Sequence, residues 1–331
     1  MKNKRANLRD VARMAGVSSA TVSRVLNTPT VVTPATRQRV EQVIEELGFM
    51  RSPAARAINS GRSRILGALI PTLESDIFSI TVNAIQNRLV TLGYSLIVAT
   101  TEDDMDQEAQ KAQELLDVGV EGLVLTGVTH SDALYALLAK ARIPAVVTSY
   151  FDPAFRLPTV GYDNRLAVEL ALSHLTTLGH RHVAVVHGPA AGNDRTLARL
   201  DAVPQGGNGP HVAFFETRLS VGGGARAARQ VLGAPERFDA LFCLSDVLAF
   251  GALNELQRSG IKVPEALSVI GIHDLPASRH TYPRLTTVHL PAQEMGEAAA
   301  ESLAKWVETG ERPEAVYFPS TLVERETTAR R

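Results

Sequence analysis

Asp10–Asn27 reads DVARMAGVSSATVSRVLN, two short amphipathic segments on either side of a single glycine. Asn7 is placed to cap a first helix, and Asp10, three residues on, completes a capping-box-like pair. Leu8, Val11, Ala12 and Ala15 then recur at helical spacing, and Gly16 stands where such a helix must stop and turn. Ser18 can cap a second helix, whose buried stripe is Val22, Val25 and Leu26. On that helix Ser19, Ala20 and Ser23 are small enough to allow close approach to another surface. Arg24 carries the planar fork that fits guanine N7 and O6. The pattern alone also fits a helix pair in any α/β protein, so the charge distribution has to decide.

Net charge over the 331 residues is −1, an average that conceals a split. Residues 1–64 hold 12 Lys/Arg against 4 Asp/Glu, whereas the rest holds 22 against 31. A basic head on an acidic body is the footprint of a nucleic-acid-binding module joined to something that does not bind nucleic acid. A membrane surface is the other partner for a basic head, but these helices lack the bulky Trp/Phe/Leu face it requires. The chain is 45% hydrophobic, which is ordinary for a soluble globular protein. No apolar run approaches a membrane span or a signal-peptide core. Cys243 is the only cysteine, so no intrachain disulfide or cysteine-cluster metal site is expected. A cytoplasmic protein is the expectation.

Within residues 1–50 a third helix follows the pair. Thr33 is its expected cap, Pro34 suits its first turn, and Val40, Val43, Ile44 and Leu47 form a stripe ending at Gly48. Residues 51–63 form a connector containing SPAARAINSG. Ser52 as cap and Gly61 as stop leave residues 53–60 for a helix, short of the ~12–15 residues an isolated helix needs in water. Such a segment is either a plain linker or a helix formed only when docked, a natural coupling element between two modules.

From Ile65 onward, short apolar runs alternate with helical patterns: ILGALIP, SLIVATT, GLVLTG, PAVVTSY, HVAVVHG, DALFCLSD and LSVIGIHD. Helices are expected over 78–92, 104–117, 164–178, 246–259 and 292–308. This is a doubly wound α/β design with parallel sheets buried on both faces, and its strand number suits two lobes. Ligands in such sheets bind outside the carboxyl ends of the strands.

Three further signals are weak. Gly222–Gly224 before a helix can cradle a phosphate, but no Lys-Ser/Thr follows, so a turn is expected. His174, His180, His182 and His187 straddle a helix end and a strand without metal-ligand spacing, and are expected in solvent or core. Ser149 and Ser245 lack a G-x-S-x-G elbow. No catalytic constellation emerges, and neither an enzyme nor a cofactor is expected.

The chain resembles the lactose/galactose repressor family (LacI/GalR) of bacterial transcription regulators over nearly its whole length. The resemblance rests on LRDVARMAGVSSATVSRVLN, TPATRQRVEQVIEELGF, SPAARAINSGRSRILGALIP, LGHRHVAVVHG, SDVLAFGAL and VPEALSVIGIHDLPASRHTYPRLTTVHLPAQEMG. It implies a ligand-responsive regulator, more often a repressor than an activator. The expected architecture is a helix-turn-helix DNA-binding domain (1–50), a hinge (51–63) and a two-lobed, periplasmic-binding-protein-like domain (64–331). Lobe 1 would comprise about 64–161 and 291–319, and lobe 2 about 162–290 and 320–331.

The resemblance further implies a homodimer that sets one recognition helix per subunit into a pseudo-palindromic double-stranded operator. Ser19, Ala20 and Arg24 match the base-reading positions, and Thr21 and Ser23 match backbone contacts. Ile58 stands where the family wedges a leucine between base pairs; the alternative is that it packs hinge against hinge. A small-molecule effector, a sugar or sugar acid, would lie between the lobes against Phe78, Asp163, Arg199, Ser245 and Asp274. These residue types suit that chemistry: carboxylates accept from hydroxyls, an aromatic face covers a ring, and arginine clamps an anion. Arg195 and Arg199 are four apart and can share a helix face, which fits either a carboxylate ligand or a solvated surface pair, and Asp163 and Asp274 can instead simply cap helices or turns.

Several positions depart from the family pattern. Ser245 replaces a common Asn, Asp76 a frequent Pro, and His273 precedes Asp274 where another residue type is usual. LDAVPQGGNGP (200–210) breaks a helix that normally continues. No leucine heptads follow Arg325, so a tetramer-forming C-terminal helix is not expected.

Overall fold

The computed structural model describes residues 6–49, 61–102, 104–204 and 209–331. The chain divides into two compact units, Met1–Ser63 and Arg64–Arg331. Ile58 and the conditional helix expected over 53–60 lie outside the described residues.

The first unit holds α1 (Leu8–Ala15), α2 (Ser19–Asn27), a 3-10 turn (Pro29–Val31) and α3 (Pro34–Glu46). The capping box at α1 is complete. Asn7 Oδ1 accepts from Arg9 N at 2.9 Å and Asp10 N at 3.2 Å, while the Asp10 carboxylate accepts from Asn7 N at 3.0 Å. Gly16 closes the helix at φ +64°, where any other L-residue would be strained. Ser18 Oγ accepts from Thr21 N at 3.1 Å and starts α2. Thr33 does not cap α3 as expected. Its hydroxyl donates to Thr36 Oγ1 at 3.0 Å instead, and Pro34 removes one of the orphan donors a cap would have satisfied. Val11, Val22 and Val40, each fully buried, bring the three helices onto one small core.

The second unit carries two six-stranded sheets among the described residues. The first contains β1 (Ile65–Ile70), β2 (Ser95–Thr100), β3 (Leu123–Thr126), β4 (Ala145–Thr148) and β5 (Thr159–Gly161). The second contains β6 (His182–His187), β7 (His211–Glu216), β8 (Ala240–Cys243), β9 (Ser268–His273) and β10 (Thr286–His289). β11 (Val316–Tyr317) then returns to the first sheet and β12 (Thr321–Val323) to the second, so the chain crosses between sheets three times. The orders are β11-β5-β4-β3-β1-β2 and β12-β10-β9-β8-β6-β7, parallel except for β12 against β10. Both sheets therefore reverse direction beside their first strand, the topological switch point where α/β folds open a ligand crevice.

The helices of this unit are α4 (Asp76–Thr91), α5 (Met105–Asp117), α6 (Asp132–Ala141), α7 (Asn164–Thr177), α8 (Asp194–Asp201), α9 (Val221–Gly233), α10 (Asp246–Arg258) and α11 (Ala292–Thr309). α8 stops after eight residues, ahead of Pro204. Gly222–Gly224 do not form a turn ahead of the helix: they lie in the first turn of α9. Their role is packing, because a Cβ on Gly224 would collide with the backbone carbonyl of Leu248 in α10. Gly251 of α10 stands in the same relation to Val221. No described helix is long and apolar enough to cross a membrane.

Candidate functional site

In the first unit, α2 turns two faces to different tasks. Val22 and Val25 are buried in the core, whereas Ser19, Ala20 and Arg24 are exposed. Thr21 and Ser23 are half-buried beside them. Thr21 Oγ1 lies 2.9 Å from Ser18 Oγ, and Ser23 Oγ accepts from Asn27 Nδ2 at 3.1 Å. Arg24 forms no ion pair among the described residues. Ser19, Ala20 and Arg24 therefore lie on the exposed side of α2, with Thr21 and Ser23 at its half-buried margins.

In the second unit, a cavity of about 250 Å³ lies at the carboxyl ends of the strands of both sheets. Phe78 reaches it from the start of α4, Ser149 from the end of β4, Arg195 and Arg199 from α8, Ser245 from the start of α10 and His273 from the end of β9. Phe78, Arg199 and Ser245 are therefore brought together, as the sequence implies.

Arg199 is the centre of the polar network. Its Nε donates to Asn164 Oδ1 at 3.0 Å and its Nη1 to Leu244 O at 3.0 Å. Nη1 also lies 3.3 Å from His273 Nε2. A guanidinium only donates, so Nε2 is the acceptor and the ring proton sits on Nδ1, 3.4 Å from Ser245 Oγ. Burial and the neighbouring Arg199 charge hold His273 well below the ordinary imidazole range, so the ring is neutral. Burial also lowers the Arg199 guanidinium, which nevertheless stays charged at neutral pH. The second arginine is compensated: Arg195 Nη1 pairs with Asp194 at 2.9 Å, and that carboxylate also accepts from the backbone of Val128 and Thr129. Arg199 has no such acid among the described residues.

Asp163 and Asp274 are placed elsewhere. Asp163 caps α7, its Oδ1 accepting from Arg165 N at 2.8 Å and Leu166 N at 3.3 Å. Asp274 follows β9 at φ +52°, and its carboxylate faces Arg325, Arg279 and His289. Burial alone would raise its pKa. Hydrogen bonds from His289 and Arg325, together with the charges of Arg325 and Arg279, bring it down to about 2. The residue at the cavity is the preceding His273, which sequence reading noted only as a departure. His273 ends β9 at φ +121° and Asp274 follows at φ +52°, so the chain turns between them and sends the two side chains to different surroundings.

Behind the cavity, fully buried Asp246 accepts from Thr287 Oγ1 (2.6 Å), Ser278 Oγ (2.7 Å) and Leu275 N (2.9 Å). Burial pushes its carboxyl up to about 7 against those three donors. It clamps the segment after β9 and thereby fixes His273.

Residues 7–52 match the model for bacterial regulatory proteins of the lacI family, and residues 172–328 match a periplasmic binding protein-like domain. The HTH-type transcriptional regulator GntR of Pseudomonas aeruginosa is 33% identical, over 98% of this chain and 96% of its own. The lac repressor dimer bound to operator and the anti-inducer ONPF superposes with a TM-score of 0.87 at 25% identity, covering 98% of this chain and 100% of that one. The complex of the transcriptional regulator CelR with cellobiose gives 0.68 at 26% identity, with the same coverage.

Proposed function

Since the chain belongs to the LacI family of bacterial regulatory proteins, we propose that it is a dimeric transcriptional regulator whose operator affinity is set by a small anionic sugar derivative. Its DNA partner is a pseudo-palindromic double-stranded operator in the cytoplasm. Ser19, Ala20 and Arg24 read base edges, and Thr21 and Ser23 hold the phosphate backbone. Repression is the expected output, as in the operator-bound lac repressor that the fold resembles. The connector 51–63, with Ile58, is the element through which lobe closure and operator binding are coupled, and such coupling is reciprocal.

The observation that carries the effector reading is Arg199, a buried guanidinium in the cavity with no carboxylate partner among the described residues. A buried unpaired charge costs several kcal/mol, a cost that an anionic ligand removes on binding. The neighbouring polar atoms of Ser149, Asn193 and Ser245 suit hydroxyl groups. A sugar acid satisfies both features, whereas a neutral sugar leaves the guanidinium without a counter-charge.

The test is a thermal-shift comparison of matched aldoses and aldonates on the full chain, since a ligand bound to the folded state raises the melting temperature. The reading requires a shift with at least one aldonate, none with its aldose, and loss of the shift in Arg199→Gln. A shift with aldoses alone would overturn the anion assignment and leave the regulator assignment standing.

A further inference from the structure

Two neighbouring strands of the second sheet begin on histidines in register: His182 opens β6, His211 opens β7, and the two are direct partners in the parallel pair. In-register neighbours project from the same face of a sheet. The ring centroids lie 5.8 Å apart, and both Nδ1 atoms turn toward one carboxylate oxygen. Glu236 Oε1 is 2.8 Å from His211 Nδ1 and 3.4 Å from His182 Nδ1. Glu236 comes from the segment between α9 and β8, and the ligand atoms of all three residues lie within 4.8 Å of one another.

We propose that His182, His211 and Glu236 bind a divalent transition-metal ion of borderline softness, Zn2+ foremost, with water in the remaining coordination position. Two imidazole nitrogens and one carboxylate oxygen are a donor set that such ions select. With no ion, Glu236 Oε1 faces both Nδ1 atoms and hydrogen-bonds with His182 Nδ1 at 3.4 Å. An ion takes the Nδ1 lone pair of each ring in its Nε2–H tautomer together with the carboxylate charge, so all three side chains serve as ligands at once. Metal–ligand bonds of about 2.0–2.2 Å place tetrahedral donors roughly 3.4 Å apart. The His182–Glu236 spacing already meets this, and the His211–Glu236 pair must open by about half an ångström. Both histidines and Glu236 have the exposure to do so, at 51%, 60% and 35%.

The backbone beneath the trio is tied together. His211 N donates to Arg181 O at 2.7 Å, and Asp239 N donates to His182 O at 2.8 Å. The Asp239 carboxylate accepts from Arg181 N at 3.0 Å and His182 N at 3.2 Å. These bonds hold β6, β7 and the Glu236 segment in one patch, so binding orders side chains rather than backbone. β7 is the edge strand of its sheet, and the ion would pin that edge to β6 and to the segment leading into β8. The sequence hides this site. His182 stands near His174, His180 and His187, none of which joins it, and its partners arrive from 29 and 54 positions away.

The test is calorimetric titration of tag-free, chelator-treated full chain with ZnCl2, alongside His182→Ala, His211→Ala, Glu236→Gln and the control His280→Ala. One ion per chain should bind. Each histidine variant should weaken binding by more than the roughly tenfold that loss of a supporting group costs, and the control should match the parent. Co2+ should give the visible absorption of a four- or five-coordinate ion, lost in His211→Ala. No saturable binding, or parent-like affinity in His211→Ala with its circular dichroism unchanged, overturns the proposal.

Discussion

Arg199 donates from Nη1 to Nε2 of His273 across 3.3 Å, so the cavity arginine without a carboxylate partner among the described residues leans on a neutral ring. An aspartate at position 273 would pair with the guanidinium and cancel its charge. His273→Asp should therefore weaken aldonate binding and shift preference toward neutral sugars. Arg199→Gln should cost aldonate affinity about 1.5–3 kcal/mol, the worth of a hydrogen bond to a charged group, roughly 10–100-fold. Calorimetry on both variants reads this; aldonate affinity unchanged in Arg199→Gln would remove Arg199 from the site.

Asp274 is expected to act on stability. Its side chain is 4% exposed and faces Arg325, whose own side chain is only 11% exposed. Asp274→Ala leaves that arginine unpaired and should destabilise the second unit by about 3–5 kcal/mol. The folded carboxyl, at about 2, lies below its ordinary value of 3.8. Its contribution is therefore present above pH ~4 and is lost as pH falls toward 2, a total of about 2 kcal/mol. Urea denaturation across that window should show the loss in the parent and not in Asp274→Asn. Unchanged urea midpoints with abolished ligand binding would make Asp274 an effector contact instead.

Operator reading should centre on Arg24. Arg24→Ala should cost roughly 1–3 kcal/mol and relax preference at one base pair per half-site. Anisotropy titrations against single-base operator variants measure this. Equal weakening on every sequence would reduce Arg24 to a phosphate contact.

The glycines of α9 should separate by position. Gly224→Ala drives a methyl into the Leu248 carbonyl and should cost about 1–3 kcal/mol. A Cβ on Gly222 meets nothing within 4 Å, so Gly222→Ala should range from neutral to about 1 kcal/mol stabilising. Melting temperatures of the two variants test the packing role directly.

Much of this architecture was legible in the chain. The α1–α2 turn was readable because Asn7, Asp10, Gly16 and Ser18 act locally, through caps and one positive φ. The central strands were readable because burial on both faces demands continuous apolar runs such as HVAVVHG. β5, β7, β10, β11 and β12 were not: β5, β11 and β12 run only two or three residues, β10 (TTVH) is threonine-rich, and β7 (HVAFFE) is a half-exposed edge strand. α9 was misread because its triple glycine serves contact with α10, which no local pattern announces. Phe78, Arg199 and Ser245 came from the family resemblance, and each lines the cavity. His273 and Asp274 were exchanged because their directions depend on where β9 ends, which is settled by Asp246 reaching across from α10.

Regulation through DNA is tested most directly by a salt series of binding titrations. Full chain is titrated against the inverted-repeat fragment it selects from genomic DNA, with a scrambled fragment as control. Saturable binding should be at least about 10³-fold tighter on the selected fragment at physiological salt. It should weaken with salt at a log–log slope of about −0.9 per phosphate neutralised. Equal affinity for both fragments, or binding that salt leaves unchanged, would contradict the role of α2 as a reader of operator sequence.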